Sequence, residues 1–211
     1  MTSHKLLGFL GLTRFFHRHI RNYAMIAQPL TDLTHNIQTE KPKPGWKARK
    51  GAYKRALQAM SLLDKWGDEQ RKVFLTLKVA VTSEPVLKAP QYDGRVFRVV
   101  TDGSKKGFGG MLTQEFETKD SEGKPHKSWH PIAFCSKRMS PSEERYEPFM
   151  LEFAALKFAL DNFNAMIYGS LIEIETDCQA LRDVLLKKRQ NSTHARWEES
   201  IISRNIVDVR H

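Results

Sequence analysis

Three carboxylates stand at positions from which they could bind a divalent cation together. Asp102 follows an apolar, β-branched run that predicts a strand, and Gly103 comes directly after it. Asp177 follows a second predicted strand, LIEIET, in the same way. Glu152 lies in an apolar stretch of a predicted helix, where an ionised acid is costly unless it is paired or bound to a cation.

Each acid also has an explanation without chemistry. The Asp-Gly pair at 102–103 is typical of a hairpin turn, and Glu152 could reach solvent from the edge of an amphipathic helix. The case for chemistry depends on the elements that carry the acids. If the two strands end at one sheet edge and the helix crosses it, the three carboxylates meet. Such acids repel one another strongly and stay ionised together only with cations between them.

The types of ligand select the cation. Carboxylate oxygens without a His or Cys cluster favour Mg²⁺ or Mn²⁺ over Zn²⁺. Two such ions about 3.5–4 Å apart would clamp a phosphodiester, because one activates water and the other stabilises the leaving oxygen. The pattern therefore makes Asp102, Glu152 and Asp177 candidate ligands of such a cation.

The charge of the chain is unevenly distributed. The net charge is +10, and residues 1–78 hold 15 Lys and Arg against 5 Asp and Glu, whereas the remaining residues hold 19 of each kind. A localised basic segment indicates a polyanionic partner, most commonly nucleic acid, although an ordinary solvated face has the same composition. The candidate contacts lie in a run without acids: Lys41, Lys43, Lys47, Arg49, Lys50, Lys54 and Arg55.

We expect neither a membrane span nor an export signal in this sequence. No run approaches the ~20 apolar residues of a span, and no small-residue cleavage site follows the first apolar patch. Cys135 and Cys178 allow at most one disulfide and form no metal-ligand pattern. We therefore expect an intracellular protein with no membrane partner, in a cytoplasmic particle or in the nucleus.

The predicted elements divide the chain into four segments. Helices at 1–35 precede a basic linker or insertion at 36–65, where Pro and Gly break regular structure. Residues 66–94 hold an amphipathic helix and an extended segment. Residues 95–211 read as three strands, a long helix from about Ser142 to Ala165, a strand, a helical region and a last strand. This order predicts an α/β fold.

The order of elements and several motifs resemble the ribonuclease H region of reverse transcriptases from gypsy-type long-terminal-repeat retrotransposons. The matching motifs are TDGSKKGFGGMLTQ, HPIAFCSKRMSPSEERY, EFAALKFALDNF and IETDCQALRDVLL. In the first third, FLGLTRFFHRHIRNYAMIAQPLTDL resembles the end of the thumb and the start of the connection of those enzymes, and WGDEQRKVFLTLKVAVTSEPVL resembles the rest of the connection. The resemblance covers nearly the whole chain except about residues 36–65.

The resemblance implies a ribonuclease H-like mixed sheet flanked by helices, preceded by a helical thumb and connection segment. It implies that Asp102, Glu152 and Asp177 are three of the catalytic carboxylates and hold two Mg²⁺ or Mn²⁺ ions. Many relatives carry a second acid two residues before the glutamate, a position that Met150 occupies here. The implied activity is hydrolysis of the RNA strand of RNA–DNA hybrids during retrotransposon replication, and the implied partners are nucleic acid and the remainder of a Pol polyprotein.

Two departures from the family pattern limit these expectations. The family has a fourth catalytic aspartate in a helix after the last strand, whereas this sequence ends at His211. We therefore expect a C-terminally truncated domain without the final helix, and a nuclease activity that is weakened or lost. The polymerase palm and fingers would precede Met1, so we expect no copying of nucleic acid. Two hypotheses stay open: a weakened RNA–DNA hybrid nuclease, and a non-catalytic nucleic-acid-binding remnant of the reverse transcriptase.

Overall fold

The computed structural model describes residues 2–39, 61–83, 87–119, 123–187 and 195–211. The chain forms two compact units, residues 1–84 and residues 85–211. The seven basic residues predicted to contact nucleic acid, Lys41, Lys43, Lys47, Arg49, Lys50, Lys54 and Arg55, lie outside the described residues. The structure therefore leaves that prediction as it stands.

The first unit is helical. Its described elements are α1 (Ser3–Phe15), a 3₁₀ turn (His17–His19), α2 (Tyr23–Ile26), α3 (Gln28–Thr39), a second 3₁₀ turn (Leu63–Lys65) and α4 (Asp68–Thr82). Asn22 adopts a left-handed conformation with φ of 56°, which interrupts the helical run before α2. Apolar side chains from these elements and the short connections between them pack into one core: Leu6, Ile20, Ala27, Leu30, Leu62 and Leu77.

The second unit is built on a five-stranded sheet. Its elements are β1 (Phe97–Ser104), β2 (Gly107–Lys119), β3 (Pro125–Arg138), a 3₁₀ turn (Glu143–Arg145), α5 (Pro148–Ile167), β4 (Ile172–Glu175), α6 (Gln179–Lys187), α7 (Ala195–Ile202) and β5 (Ile206–Arg210). The strand order is β3-β2-β1-β4-β5. The first three strands are antiparallel, whereas β4 is parallel to both β1 and β5. The predicted α/β fold with a mixed sheet and flanking helices is therefore confirmed.

Helix α5 packs across β1 and β2 and buries the main core of this unit. Apolar residues alternate along β1 and β4, and this spacing directs one set of side chains to the α5 side of the sheet. Each large apolar side chain buried there stabilises the fold by about 1.5–3 kcal/mol. The fully buried members include Phe97, Val99, Leu112, Leu156, Phe163, Ile172 and Ile174.

The long helix begins later than the sequence predicted. The expected start near Ser142 is wrong, because residues Glu143–Arg145 form only a 3₁₀ turn and α5 begins at Pro148. A proline favours the first turn of a helix and disfavours the helical conformation for the residue before it. Glu147 is accordingly extended, with φ of −64° and ψ of 155°. Pro148 therefore sets the start of α5, and Glu152 lies in its second turn.

The longest described helix is α5, with 20 residues. No described helix combines the length and the apolar content needed to cross a membrane. The thiols of Cys135 and Cys178 both belong to the second unit, and neither is part of a disulfide.

Candidate active site

The parallel pairing of β1 with β4 brings two of the predicted carboxylates to one edge of the sheet. Val100 pairs with Glu175, and the same register continued by two residues sets Asp102 level with Asp177. Both aspartates are exposed; Asp102 lies near the carboxyl end of β1, and Asp177 is the second residue after β4. Asp102 pairs with Gly109 of β2, two residues after the pairing of β1 with β4 ends at Val100.

Glu152 reaches the same place from α5. The backbone N–H of Gly103 donates a hydrogen bond of 3.2 Å to Oε1 of Glu152. The other carboxylate oxygen, Oε2, is buried and has no hydrogen-bond partner within the described parts of the chain. A Cβ at position 103 would lie 2.5 Å from the backbone oxygen of Leu151. The missing side chain of Gly103 therefore allows the close approach of α5 to β1.

The position of Gly103 excludes the hairpin-turn explanation that the sequence left open. The Asp-Gly pair is not a hairpin turn, because both residues lie within β1 and the turn falls at Lys105 and Lys106. The sequence therefore identified the glycine but not its contact with a helix that begins 45 residues later. No local signal could have found this contact, since it depends on how α5 crosses the sheet.

The electrostatic environment of Glu152 places the three carboxylates within interacting distance. The pKa of Glu152 is raised from 4.5 to about 7, mainly by burial, while the hydrogen bond from Gly103 opposes the rise. The negative charges of Asp177 and Asp102 contribute to the same rise. A carboxylate with this pKa is partly protonated at neutral pH, and a nearby cation would favour its ionised form.

The three carboxylates are neighbours but do not form a closed ligand cage. Among the described residues, no group of three or more His, Cys, Asp or Glu side chains is arranged to hold a metal ion as it stands. The donor chemistry nevertheless fits a hard divalent cation. All the donors are carboxylate oxygens, and the unpartnered Oε2 of Glu152 offers a buried ligand without competition from an N–H group. Asp102, Glu152 and Asp177 are the residues that would hold such an ion.

The last described residue also contacts this edge. Nε2 of His211 lies 3.0 Å from the backbone oxygen of Asp177, so the ring N–H donates to that carbonyl group. Within the turn after β4, the backbone N–H of Cys178 donates to the hydroxyl of Thr176. These two contacts fix the backbone on either side of the Asp177 side chain.

Comparison with known proteins identifies the second unit. Residues 93–203 match the family described as the RNase H-like domain found in reverse transcriptase. The relatives include the retrovirus-related Pol polyproteins from transposons opus and gypsy of Drosophila melanogaster. They are 29% identical over 199 residues and 28% identical over 204 residues, which is 93% and 96% of this chain. The chain spans only 17% of the length of each of these polyproteins.

The fold is similar to that of solved reverse transcriptase structures. The foamy viral protease-reverse transcriptase in complex with dsDNA aligns over 100% of this chain and 38% of its own, with a TM-score of 0.61 and 17% identity. The same kind of protein in complex with an RNA/DNA hybrid aligns over 100% of this chain and 25% of its own, with a TM-score of 0.57 and 18% identity. The resemblance to gypsy-type retrotransposon sequences is therefore confirmed, and the chain belongs to the family of RNase H-like domains found in reverse transcriptases.

Proposed function

We propose that the second unit hydrolyses the RNA strand of RNA–DNA hybrids at the edge formed by Asp102, Glu152 and Asp177. One observation carries this proposal. Two strand-end aspartates and a half-buried glutamate from α5 converge, and the charges of both aspartates act on the pKa of the glutamate. Such a concentration of acids is unfavourable for folding by itself and is expected where a cation and a phosphodiester bind.

RNase H-like domains generally use divalent metal ions. We propose Mg²⁺ or Mn²⁺ for this chain, because every candidate ligand is a carboxylate oxygen. Two ions are expected in a complete site, with Asp102, Glu152 and Asp177 among the ligands. When bound, they supply an activated water and neutralise charge on the leaving oxygen.

The chain's own residues supply orientation. The backbone of Asp102 is held within β1, and the backbone around Asp177 is held by the contacts of His211 and Thr176 in the turn after β4. The N–H of Gly103 binds one oxygen of Glu152, and the other oxygen is buried without a hydrogen-bond partner among the described residues. Because the pKa of Glu152 is about 7, its carboxylate exchanges a proton near neutral pH until a cation favours the ionised form.

Cleavage of a hybrid with a labelled RNA strand tests the proposal. With Mn²⁺ or Mg²⁺ present, we expect the chain to cut the RNA, and Asp102→Asn to lose about a hundredfold or more in rate, because one ligand is removed. Asp208→Asn is the matched control, since Asp208 is an exposed acid on β5 outside the site. Equal rates for the wild type and Asp102→Asn would exclude this site as the origin of any cleavage.

A second candidate function is nucleic-acid binding without turnover. It is favoured by the first unit, where residues 2–31 contain no acid and four exposed cations: Lys5, Arg14, Arg18 and Arg21. Binding through such residues should weaken steeply with salt and depend little on base sequence. Salt-sensitive binding with no cleavage in either metal would favour this function, whereas affinity that is flat between low and high salt would exclude it.

The same proposal includes the partners of the chain and its location. The Drosophila relatives are Pol polyproteins, and this chain aligns with a small part of each. We propose that the chain works with the remainder of a reverse transcriptase, inside the cell and on nucleic acid.

A further inference from the structure

The face of the sheet turned away from α5 is unusually rich in acids near the candidate site. Side chains alternate along a strand, and Gly103 faces α5, so Asp102 lies on the opposite face. The parallel register sets Glu173 and Glu175 on that same face, followed by Asp177. Two cations contact this acidic group: Arg98, which pairs with Glu173 across the sheet, and Arg210, which forms an ion pair with Glu173 from β5.

Arg98 is held in a single arrangement by contacts on both sides. Nη1 donates to Oε2 of Glu175 over 3.2 Å, and Nη2 lies 3.4 Å from both carboxylate oxygens of Glu173. The guanidinium carbon lies 3.6 Å from the ring centroid of Trp129, which reaches over from β3. The side chain of Arg98 is only 14% exposed. A planar guanidinium can bridge two carboxylates while stacking on an aromatic ring, which a lysine cannot do.

The two glutamates differ in what they would do without Arg98. Glu173 is buried, with 6% of its side chain exposed, and it also forms an ion pair with Arg210. Glu175 is 41% exposed and forms an ion pair with Arg98. Glu175 is the last residue of β4, and Asp177 follows it by two residues. Released from Arg98, its carboxylate would become a further oxygen ligand beside the candidate metal site.

We propose that Arg98 is a positioning residue. By holding Glu175 in an ion pair, it limits cation binding to Asp102, Glu152 and Asp177. The inference rests on the proposed function, because it concerns the cation of that same site. In addition to linking β1 to β4, Arg98 would then keep the carboxylate of Glu175 in an ion pair and away from the cation.

Binding of Mn²⁺ to the full chain, followed through the electron paramagnetic resonance signal of free Mn²⁺, tests the inference without any activity assay. We expect Arg98→Met to tighten Mn²⁺ binding by about tenfold or to add a further bound ion, since changes in such supporting residues commonly alter metal affinity on this scale. Glu175→Gln alone should bind as the wild type does. The double variant Arg98→Met with Glu175→Gln should return to the wild-type value.

Two controls separate a local effect from a general change of charge. Arg95→Met removes the same charge from an arginine paired with Asp93, away from Glu175, and should leave Mn²⁺ binding unchanged. If Arg98→Met tightens binding equally with and without Glu175→Gln, the effect is long-range attraction, and the inference is overturned. The same holds if Arg98→Met behaves as Arg95→Met does.

Two further results have distinct meanings. If the wild type binds no Mn²⁺, both the proposed metal site and the inference are wrong. If the wild type binds Mn²⁺ and the two single variants and the double variant all bind it equally well, only the inference is overturned. If Arg98→Met does not fold, Arg98→Lys replaces it, because an ammonium group cannot bridge both carboxylates. We then expect a smaller gain than for Arg98→Met, which Glu175→Gln again abolishes. A gain that persists in the presence of Glu175→Gln overturns the inference in this series as well.

Discussion

The backbone N–H of Gly103 is hydrogen-bonded to Oε1 of Glu152 over 3.2 Å, while Oε2 of the same carboxylate is buried without a partner in the described residues. One oxygen of Glu152 is therefore fixed and the other is left to a cation. In the absence of a cation, the half-buried carboxylate is costly in its ionised form, and its pKa rises to about 7. Glu152 thus couples the stability of the fold to pH.

Replacing Glu152 by Gln should remove this coupling. The pKa of Glu152 in the folded chain, about 7, lies above its ordinary value of 4.5. Between these values the folded state retains a proton that the unfolded state has lost, so stability falls as pH rises from about 4.5 to about 7. We expect Glu152→Gln to raise the free energy of unfolding at pH 8 by about 1 kcal/mol, a figure reduced for partial solvent screening.

Thermal unfolding in the presence of a chelator, between about pH 5 and about pH 8, measures this effect. The melting temperature of the wild type should fall across that range by more than that of Glu152→Gln. Glu144→Gln is the matched control, because Glu144 is an exposed acid in the 3₁₀ turn before α5. Parallel curves for all three proteins would contradict the raised pKa of Glu152.

Divalent cation affinity should depend on pH through the same residue. A cation binds the ionised carboxylate, so protonation of Glu152 competes with binding below its pKa of about 7. We expect the affinity for Mn²⁺ to fall about tenfold between about pH 8 and about pH 6. Calorimetric titration measures it. The weaker binding of Glu152→Gln should change little over this range, and an equal fall in that variant would assign the pH dependence to other groups.

The sequence predicted the parts of the site that depend on local pattern. Asp102 and Asp177 each follow an alternating apolar run, and strand ends of this kind are legible from residue types alone. The sequence also predicts the helix that carries Glu152, because its apolar stripe is long. The predicted start of this helix is wrong, because two prolines each satisfy the rule for a first turn. The choice of Pro148 over Pro141 depends on packing of the helix against the sheet.

Other features depend on contacts between distant segments and left no clear sign in the sequence. The alternation in LIEIET suggests two solvent-facing glutamates, yet Glu173 is 4% exposed because Arg98 and Arg210 cover it. The register between β1 and β4 joins residues 75 positions apart, as in the pairing of Arg98 with Glu173. Such pairs can be recognised only once the strand order is known.

Gly110 and Cys135 share one space beneath α5, and their substitutions should be coupled. A Cβ at position 110 would lie 2.7 Å from Sγ of Cys135 and 2.8 Å from Cβ of Ala159. We expect Gly110→Ala to destabilise the fold by about 1–3 kcal/mol through overpacking. Cys135→Ala should cost about 1 kcal/mol, because it leaves a small cavity.

The double variant should cost less than the two single variants together, by about 1 kcal/mol, because the new methyl group occupies the space of the missing sulfur. Part of the cost should remain, since Ala159 still crowds the site. Chemical denaturation of the four proteins gives the coupling energy. Additive costs would mean that Gly110 and Cys135 do not compete for this space.

Gln114 fastens the start of the second unit to the sheet, and this contact should govern the stability of residues before the family match. Gln114 is fully buried, accepts a hydrogen bond from the backbone N–H of Gln91 and donates one to its carbonyl oxygen, both over 2.8 Å. Gln114→Met keeps the volume but leaves both backbone groups of Gln91 without these partners. We expect a loss of about 2–4 kcal/mol in the free energy of unfolding.

Hydrogen exchange locates the loss. The amide of Gln91 should be protected in the wild type and exchange at least about tenfold faster in Gln114→Met, since the side chain that accepts its hydrogen bond is gone. Gln179→Met, at an exposed position in α6, is the matched control and should leave that amide protected. Gln91 precedes the matched range 93–203, so protection there would extend the folded unit beyond the family boundary. Rapid exchange of the Gln91 amide in the wild type would contradict the hydrogen bonds between Gln114 and the backbone of Gln91.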